Sequence, residues 1–270
     1  MVKKILVLVG VGLSAGSGIP TFRTDDGDWQ AGMDLQSALQ INEYMGRPKA
    51  RKIVWDRLRS ADFSHREPTI AHEALARLDE AGSLLGVLTQ NIDSPEQEAG
   101  VSPLKVWQVH GSAGETVCDR CEHERPTREI LDALYGQREW SWTGGKTLAE
   151  VDAHVLHCQQ WNAKKSKPCG GVIKPCVVFY GEGIDRKAWS NARSALFYAD
   201  ELWCVGASLE VHPAADLPRM AVSLGKTVRV VSTGVVNIEG VKPAAWEKVT
   251  ATADDAAPKL VDMVLGSGGD

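Results

Sequence analysis

The residues of this 270-residue chain best suited to chemistry are a cysteine set, a glycine-rich loop and a histidine. Four of the six cysteines fall within residues 118–169. Such clustering reads as metal binding before disulfide formation. Cys118-Asp-Arg-Cys121 is a C-x2-C pair, and Cys158 and Cys169 complete four thiolates. Zn2+ takes four thiolates tetrahedrally and leaves no position open for water, so the centre is expected to be structural. It would fold a segment too poor in apolar residues to fold alone. The second pair is separated by ten residues instead of two, and His123, His154 and His157 lie close enough in sequence to replace a cysteine.

The loop GVGLSAGSGIPTFR, residues 10–23, follows the apolar run Ile5–Val9. Glycines after a buried strand place backbone N–H groups against a phosphate. Gly10, Gly12 and Ala15 match G-x-G-x-x-A. A hydride-transferring dehydrogenase would continue into a long helix and place an acid at the end of a second strand. Pro20 cuts any helix short, and Asp25, Asp26 and Asp28 sit in the polar stretch TDDGDW with no strand before them. The loop is therefore not read as a dehydrogenase loop.

Apolar runs at Ile5–Val9, Leu84–Leu88, Lys105–Val109, Glu201–Val205 and Thr227–Val231 read as buried parallel strands. Helical patterns at Ile70–Ala81, Arg186–Tyr198 and Asp254–Val264 lie between and after them. This alternation predicts an α/β fold with a doubly wound parallel sheet. Ligands of such sheets bind beyond the carboxyl ends of the strands. Those ends read Gly10-Val11-Gly12, Thr89-Gln90-Asn91-Ile92-Asp93, His110-Gly111-Ser112, Gly206-Ala207-Ser208 and Ser232-Thr233-Gly234. Small or hydrogen-bonding groups thus collect at one edge. Residues 24–66 and 112–175 break the alternation and read as excursions that build a smaller lobe.

Apolar content of 43% and charged content of 24% describe an ordinary globular chain. The net charge of -5 argues against non-specific, direct nucleic-acid binding. The opening MVKKILVLVG has the look of a short signal peptide, but cleavage there would destroy the glycine loop, so it is read as a first strand. No apolar run reaches the ~20 residues of a membrane span, and the expected location is the cytoplasm. The closing GSGGD, residues 266–270, is expected to be a flexible tail. The oligomeric state is not legible.

GVGLSAGSGIPTFR, TQNID, VHGS, the cysteine set, VVFYGE and GASLEVHPAADLP occur in the order found in sirtuins, and the chain resembles that family from residue 4 to about residue 233. The resemblance implies an NAD-dependent protein-lysine deacylase, most simply a deacetylase, acting on an acyl-lysine protein or peptide. It implies a Rossmann-like domain of residues 1–23, 67–111 and 176–265, a helical module of residues 24–66 and a zinc-binding module of residues 112–175. By the same resemblance, Gly10, Val11, Gly12, Ser14 and Ala15 line the NAD phosphate and ribose site, Phe22 shields the reactive ribose carbon and Arg23 reaches phosphate. Gln90, Asn91, Ile92 and Asp93 face the nicotinamide ribose and carboxamide, and Gly206, Ser208 and Ser232 lie on the adenosine side. Asn91, Asp93 and His110 form the catalytic set, with His110 as base. Val178, Tyr180, Gly181 and Glu182 resemble the segment that pairs with the substrate backbone as an added strand. The alternative activities of this fold are ADP-ribosyl transfer and NAD hydrolysis. A non-enzymatic binding module would give Asn91, Asp93 and His110 no reason to coincide.

The chain departs from the sirtuin pattern in four places. Val11 replaces an alanine, Ser94-Pro95-Glu96 replaces Gly-Leu-His, Ser232-Thr233 stands where an asparagine is usual, and Tyr180 carries a hydroxyl its counterpart lacks. The Tyr-x-x-Arg pair of succinyl-removing sirtuins falls on Leu58 and Ala61. A neutral acyl group is therefore expected, since no guanidinium is placed to hold a carboxylate.

Overall fold

The computed structural model describes residues 2–17, 33–61, 67–93, 95–136 and 155–266. In chain order these residues form β1 (Ile5–Val9), α1 (Met33–Ala38), α2 (Ile41–Gly46), α3 (Pro48–Ala61), α4 (Ile70–Glu80), β2 (Leu84–Thr89) and α5 (Pro95–Glu98). Next come β3 (Val106–Gln108), β4 (Gly111–Cys118), β5 (Glu124–Pro126), α6 (Thr127–Tyr135), β6 (Trp161–Asn162), β7 (Lys167–Pro168) and β8 (Ile173–Val177). The chain finishes with α7 (Arg186–Tyr198), β9 (Glu201–Val205), α8 (Asp216–Ser223), β10 (Thr227–Val231), β11 (Glu247–Val249) and α9 (Ala253–Leu265). None of the helices is long and apolar enough to cross a membrane.

The described residues divide between two compact units. One holds residues 2–17, 67–93, 95–110 and 184–266, and the other holds residues 33–61, 111–136 and 155–183.

The first unit is built on a six-stranded parallel sheet of order β11-β10-β9-β1-β2-β3. All five residues of β1 are fully buried, as a central parallel strand covered on both faces requires. Side chains alternate between the two faces. Ile5, Val7 and Val9 pack with α4 and α9 through Leu75, Leu78, Ala257 and Val261. Leu6 and Leu8 pack with α7 and α8 through Ala192, Leu196, Leu217 and Ala221. Burying each large aliphatic side chain contributes roughly 1.5–3 kcal/mol, so this unit carries its own core.

Register fixes the functional edge. Val9 lies opposite both Thr89 and Val205, Thr89 opposite Gln108, and Val231 opposite Val205. The residues that follow β1, β2, β3, β9 and β10 therefore leave the sheet side by side. The chain runs from β1 outward to β2 and β3, then returns to β9 on the other side of β1. That reversal puts the β1 and β9 loops at the switch point of the sheet, where ligands of open α/β sheets bind.

The five expected strands all form, β3 starting one residue late because Pro103–Lys105 makes a 3-10 turn before it. A sixth strand, β11, and the helix α8 are additions to the sequence reading.

The second unit packs α1, α2 and α3 with a three-stranded antiparallel sheet β5-β4-β8 and a small hairpin β6-β7. Trp55 and Tyr44 are fully buried at its centre. The Trp55 indole N–H donates to the Tyr44 hydroxyl at 2.9 Å, and that hydroxyl donates to the Ile173 carbonyl at 2.8 Å. This chain of bonds joins the helical part to β8. Residues 176–183, expected in the large domain, lie in this unit. Val177 is paired with Gly111, and Tyr180 bridges to Gln40.

Candidate functional site

The glycine loop leaves β1 through Gly10 and makes two short 3-10 turns, Val11–Leu13 and Ala15–Ser17. Its glycines are dictated by how closely it meets the β9 loop. A Cβ on Gly12 would stand 2.7 Å from the Gly206 Cα, and one on Gly206 would stand 2.4 Å from the Leu13 nitrogen. Gly206 also has a φ of +62°, a region other residues enter only at a cost. The loops are tied by the Gly12 N–H donating to the Gly206 carbonyl at 3.0 Å. The loop is also held from beneath. The Thr69 hydroxyl, at the head of α4, donates to the Leu13 carbonyl at 3.2 Å. Asp254, in the first turn of α9, accepts from the Ala71 N–H at 2.9 Å and lies where a Cβ on Gly16 would go.

On the other side of β1, Asn91 fastens the β2 loop to the glycine loop. Its side-chain amide donates to the Gly10 carbonyl at 3.3 Å and to Ser14 Oγ at 3.4 Å, and its own N–H donates to Thr89 Oγ1 at 3.2 Å. Asn91, Asp93 and Ser14 are all buried. The Asp93 carbonyl accepts from Gln108 Nε2 at 3.3 Å, which ties the same loop to β3.

His110 follows β3, with Nδ1 3.0 Å from the Gln90 carbonyl. A carbonyl oxygen can only accept, so this bond puts the ring proton on Nδ1 and leaves a lone pair on Nε2. Burial lowers the pKa of the ring below the ordinary 6.5, and the Gln90 carbonyl opposes this in part. The imidazole is neutral at pH 7 and carries a free basic nitrogen.

Gly10, Gly12, Ser14, Gln90, Asn91, Asp93, His110 and Gly206 thus come from four adjacent strand ends. Val11, Gln90, Ile92 and Ser208 are half-buried and Ala15 is exposed along the same edge. Ser232 follows β10, and its hydroxyl accepts from the Gly234 N–H at 3.2 Å. Phe22 and Arg23 lie outside the described residues.

In the second unit the four cysteines converge. The Sγ atoms of Cys118, Cys121, Cys158 and Cys169 all lie within 4.8 Å of one another. Cys118 and Cys169 approach to 3.8 Å, and Cys121 and Cys158 to 3.6 Å. Tetrahedral zinc with Zn–S bonds of about 2.3 Å needs sulfurs roughly 3.8 Å apart, so the set fits a closed zinc centre. His123 and His157 are not members of it, and His154 lies outside the described residues. The hairpin β6-β7 resolves the long second spacing. It folds the intervening residues out, and the Cys169 N–H donates to the Gln160 carbonyl at 2.8 Å. Gly171 is small because Cys118 Sγ lies 2.5 Å from where its Cβ would be.

The 178–182 segment is locally braced. The Phe179 N–H donates to Glu182 Oε2 at 2.8 Å, and Lys174 pairs with the same oxygen at 3.2 Å. The Tyr180 N–H donates to the Leu39 carbonyl, and the Ile41 N–H donates to the Tyr180 carbonyl, both at 3.0 Å. The Tyr180 main chain is therefore engaged inside this unit, while its ring is exposed. Leu58 is buried in α3.

Sequence reasoning missed the supports, Thr69, Gln108 and Asp254. Only Thr69 left a signal, a threonine immediately before the helical pattern that starts at Ile70.

Residues 10–213 match the profile of the Sir2 family. The NAD-dependent protein deacetylase 2 of Streptomyces coelicolor is 33% identical over 228 residues, 84% of this chain and 85% of that protein. The NAD-dependent protein deacylase 2 of Archaeoglobus fulgidus is 30% identical over 264 residues, 97% of this chain and 91% of that one. A chain solved in work on the mechanism and regulation of Sir2 enzymes aligns with a TM-score of 0.76 at 28% identity, covering 98% of this chain and 94% of that one. A Sir2 variant solved with a deacetylated p53 peptide and 3'-O-acetyl ADP ribose also aligns at 0.76, with 25% identity over 99% of this chain and 94% of that one.

Proposed function

The chain belongs to the Sir2 family, and from that premise we propose that it is an NAD-dependent protein-lysine deacylase. It converts acyl-lysine, NAD and water to lysine, nicotinamide and O-acyl-ADP-ribose, with acetyl as the acyl group. NAD supplies an electrophilic ribose carbon and nicotinamide as leaving group. The donor set suits it: Gly10, Gly12 and Gly206 meet at the strand-order reversal, with the buried Asn91 and Asp93 on the neighbouring loop.

The observation that carries the reading is the anchored imidazole. With Nδ1 bound to the Gln90 carbonyl, Nε2 of His110 takes the proton from the ribose hydroxyl that receives the acyl group. Asn91 holds the β2 loop against the glycine loop, so the ribose meets a fixed wall. The Asp93 carboxylate faces the nicotinamide end. Gly206, Ser208 and Ser232 take the adenosine side. The substrate main chain pairs along the 178–182 segment at Val178 and Gly181, since Tyr180 is engaged with Leu39 and Ile41. Glu182 braces that segment through the Phe179 N–H. The zinc centre of Cys118, Cys121, Cys158 and Cys169 is structural.

The test is incubation with NAD and an acetyl-lysine peptide, following nicotinamide and peptide mass. Peptide-dependent nicotinamide release with matching loss of acetyl is expected, and a succinyl-lysine peptide should react about tenfold more slowly or worse. Release of nicotinamide without peptide would identify an NAD hydrolase instead, and no release in either arm would overturn the reading.

A further inference from the structure

Glu96 is a buried acid that the reaction above does not use. It lies three residues beyond Asp93, at the start of α5, and its side chain has no exposed surface. Neither carboxyl oxygen has a hydrogen-bond partner. The Thr89 hydroxyl is near enough to act on the group, but makes no bond of normal geometry to it and instead accepts from the Asn91 N–H at 3.2 Å.

Glu201, at the start of β9, shows what a compensated buried carboxylate looks like here. It is paired with Lys3 and Arg229 and accepts from the Trp203 indole N–H at 2.8 Å. Those donors hold its pKa below the usual carboxylate range, against the burial that would raise it.

Among the described residues no cation is paired with Glu96. The titratable groups on α4, which packs against α5, are His72, Glu73, Arg77, Asp79 and Glu80. His72 is itself pushed down to about 4 by burial, so it is neutral. Arg77 pairs with Asp262, and Asp79 with Lys105. The neighbouring strands β2 and β3 present no ionisable side chain. Burial raises the Glu96 pKa to about 7, its own backbone N–H and the Thr89 hydroxyl oppose this in part, and the charge of Asp93 adds a smaller push upward. Two carboxylates in one dry site resist ionising together.

We propose that Glu96 is a positioning residue for the NAD-binding turn: as a neutral acid it leaves Asp93 undisturbed, and on ionising it repels that carboxylate and spoils the turn for NAD. The inference rests on the role given to Asp93 above. It makes NAD affinity fall as pH rises through 7, while His110, already neutral, stays competent as a base. The linkage has the same sign. A carboxyl with its pKa raised by folding stabilises the fold fully below the ordinary carboxylate range and loses that contribution as pH rises through about 7.

The experiment is calorimetric titration of the whole zinc-loaded protein with NAD from pH 5.5 to 9, for the native chain and Glu96→Gln. The native Kd should rise about tenfold between pH 6 and 9 while that of the variant stays flat. Turnover at saturating NAD and peptide should differ between them by less than about twofold. Superimposable Kd profiles would overturn the proposal. NAD binding without turnover would sink the deacylase reading and leave Glu96 standing, and no NAD binding at any pH would sink both. Should the variant not fold, carbon NMR titration of the native Glu96 carboxyl decides: a midpoint near 7 supports the assignment and one in the ordinary carboxylate range removes it.

Discussion

The two chemically dense regions of this chain are held by opposite means. The edge of the first unit proposed to bind NAD stands on a sheet whose central strand is fully buried on both faces. Its loops are short, and hydrogen bonds from Asn91, Thr69 and Gly12 lock them to one another. The cysteine centre lies at the end of β4, beside a hairpin of two-residue strands with exposed lysines. Its four thiolates suit a metal that would hold them together. A site can therefore be precise either because a core prearranges it or because an ion does, and the two should fail differently.

The largest difference is expected on removing zinc or on Cys118→Ser. Binding to such a set is worth on the order of 10–16 kcal/mol, so the strands β4 and β8 should lose their amide-exchange protection. Tyr44, tied to Ile173 of β8, should lose its packing with them, while β1 and β9 keep theirs. Simultaneous loss of protection in all four strands would show that the first unit is not self-supporting.

Gly206→Ala comes next. The new Cβ would meet the Gly12 backbone at 2.4 Å at a residue whose φ is +62°. A destabilisation of roughly 3 kcal/mol is expected, read as a fall in the denaturation midpoint with zinc content unchanged. An alanine tolerated within about 0.5 kcal/mol would refute the close approach of the two loops.

Asn91→Ala is the smallest of the three. It removes two long hydrogen bonds, to Gly10 and Ser14, worth about 1 kcal/mol each. The denaturation midpoint should fall, but by less than for Gly206→Ala, the KM for NAD should rise roughly tenfold, and an unchanged KM would detach Asn91 from the site.

Much of the first unit was legible because buried parallel strands are continuous apolar runs and glycines mark a close approach. Strand β11 was not, since Glu247-Lys248-Val249 is short, charged and at the sheet edge, where burial leaves no pattern. Helix α8 carries Pro218 near its start, which reads as a breaker although the first turn tolerates it. The address of residues 176–183 was also hidden. A strand such as β8 looks alike in either unit, and only its pairing with β4 assigns it. Glu96 was visible as a departure from the sirtuin pattern, but burial without a partner is a property of three dimensions.

The measurement closest to the central claim is the pH profile of peptide-dependent kcat/KM, for the native chain and for His110→Ala. An imidazole held neutral by burial predicts an acid limb falling below the ordinary 6.5. The variant should lose roughly a hundred- to ten-thousandfold in rate while keeping the native fold. An acid limb above 6.5, or a variant that still deacetylates at the native rate, would contradict the assignment of the base.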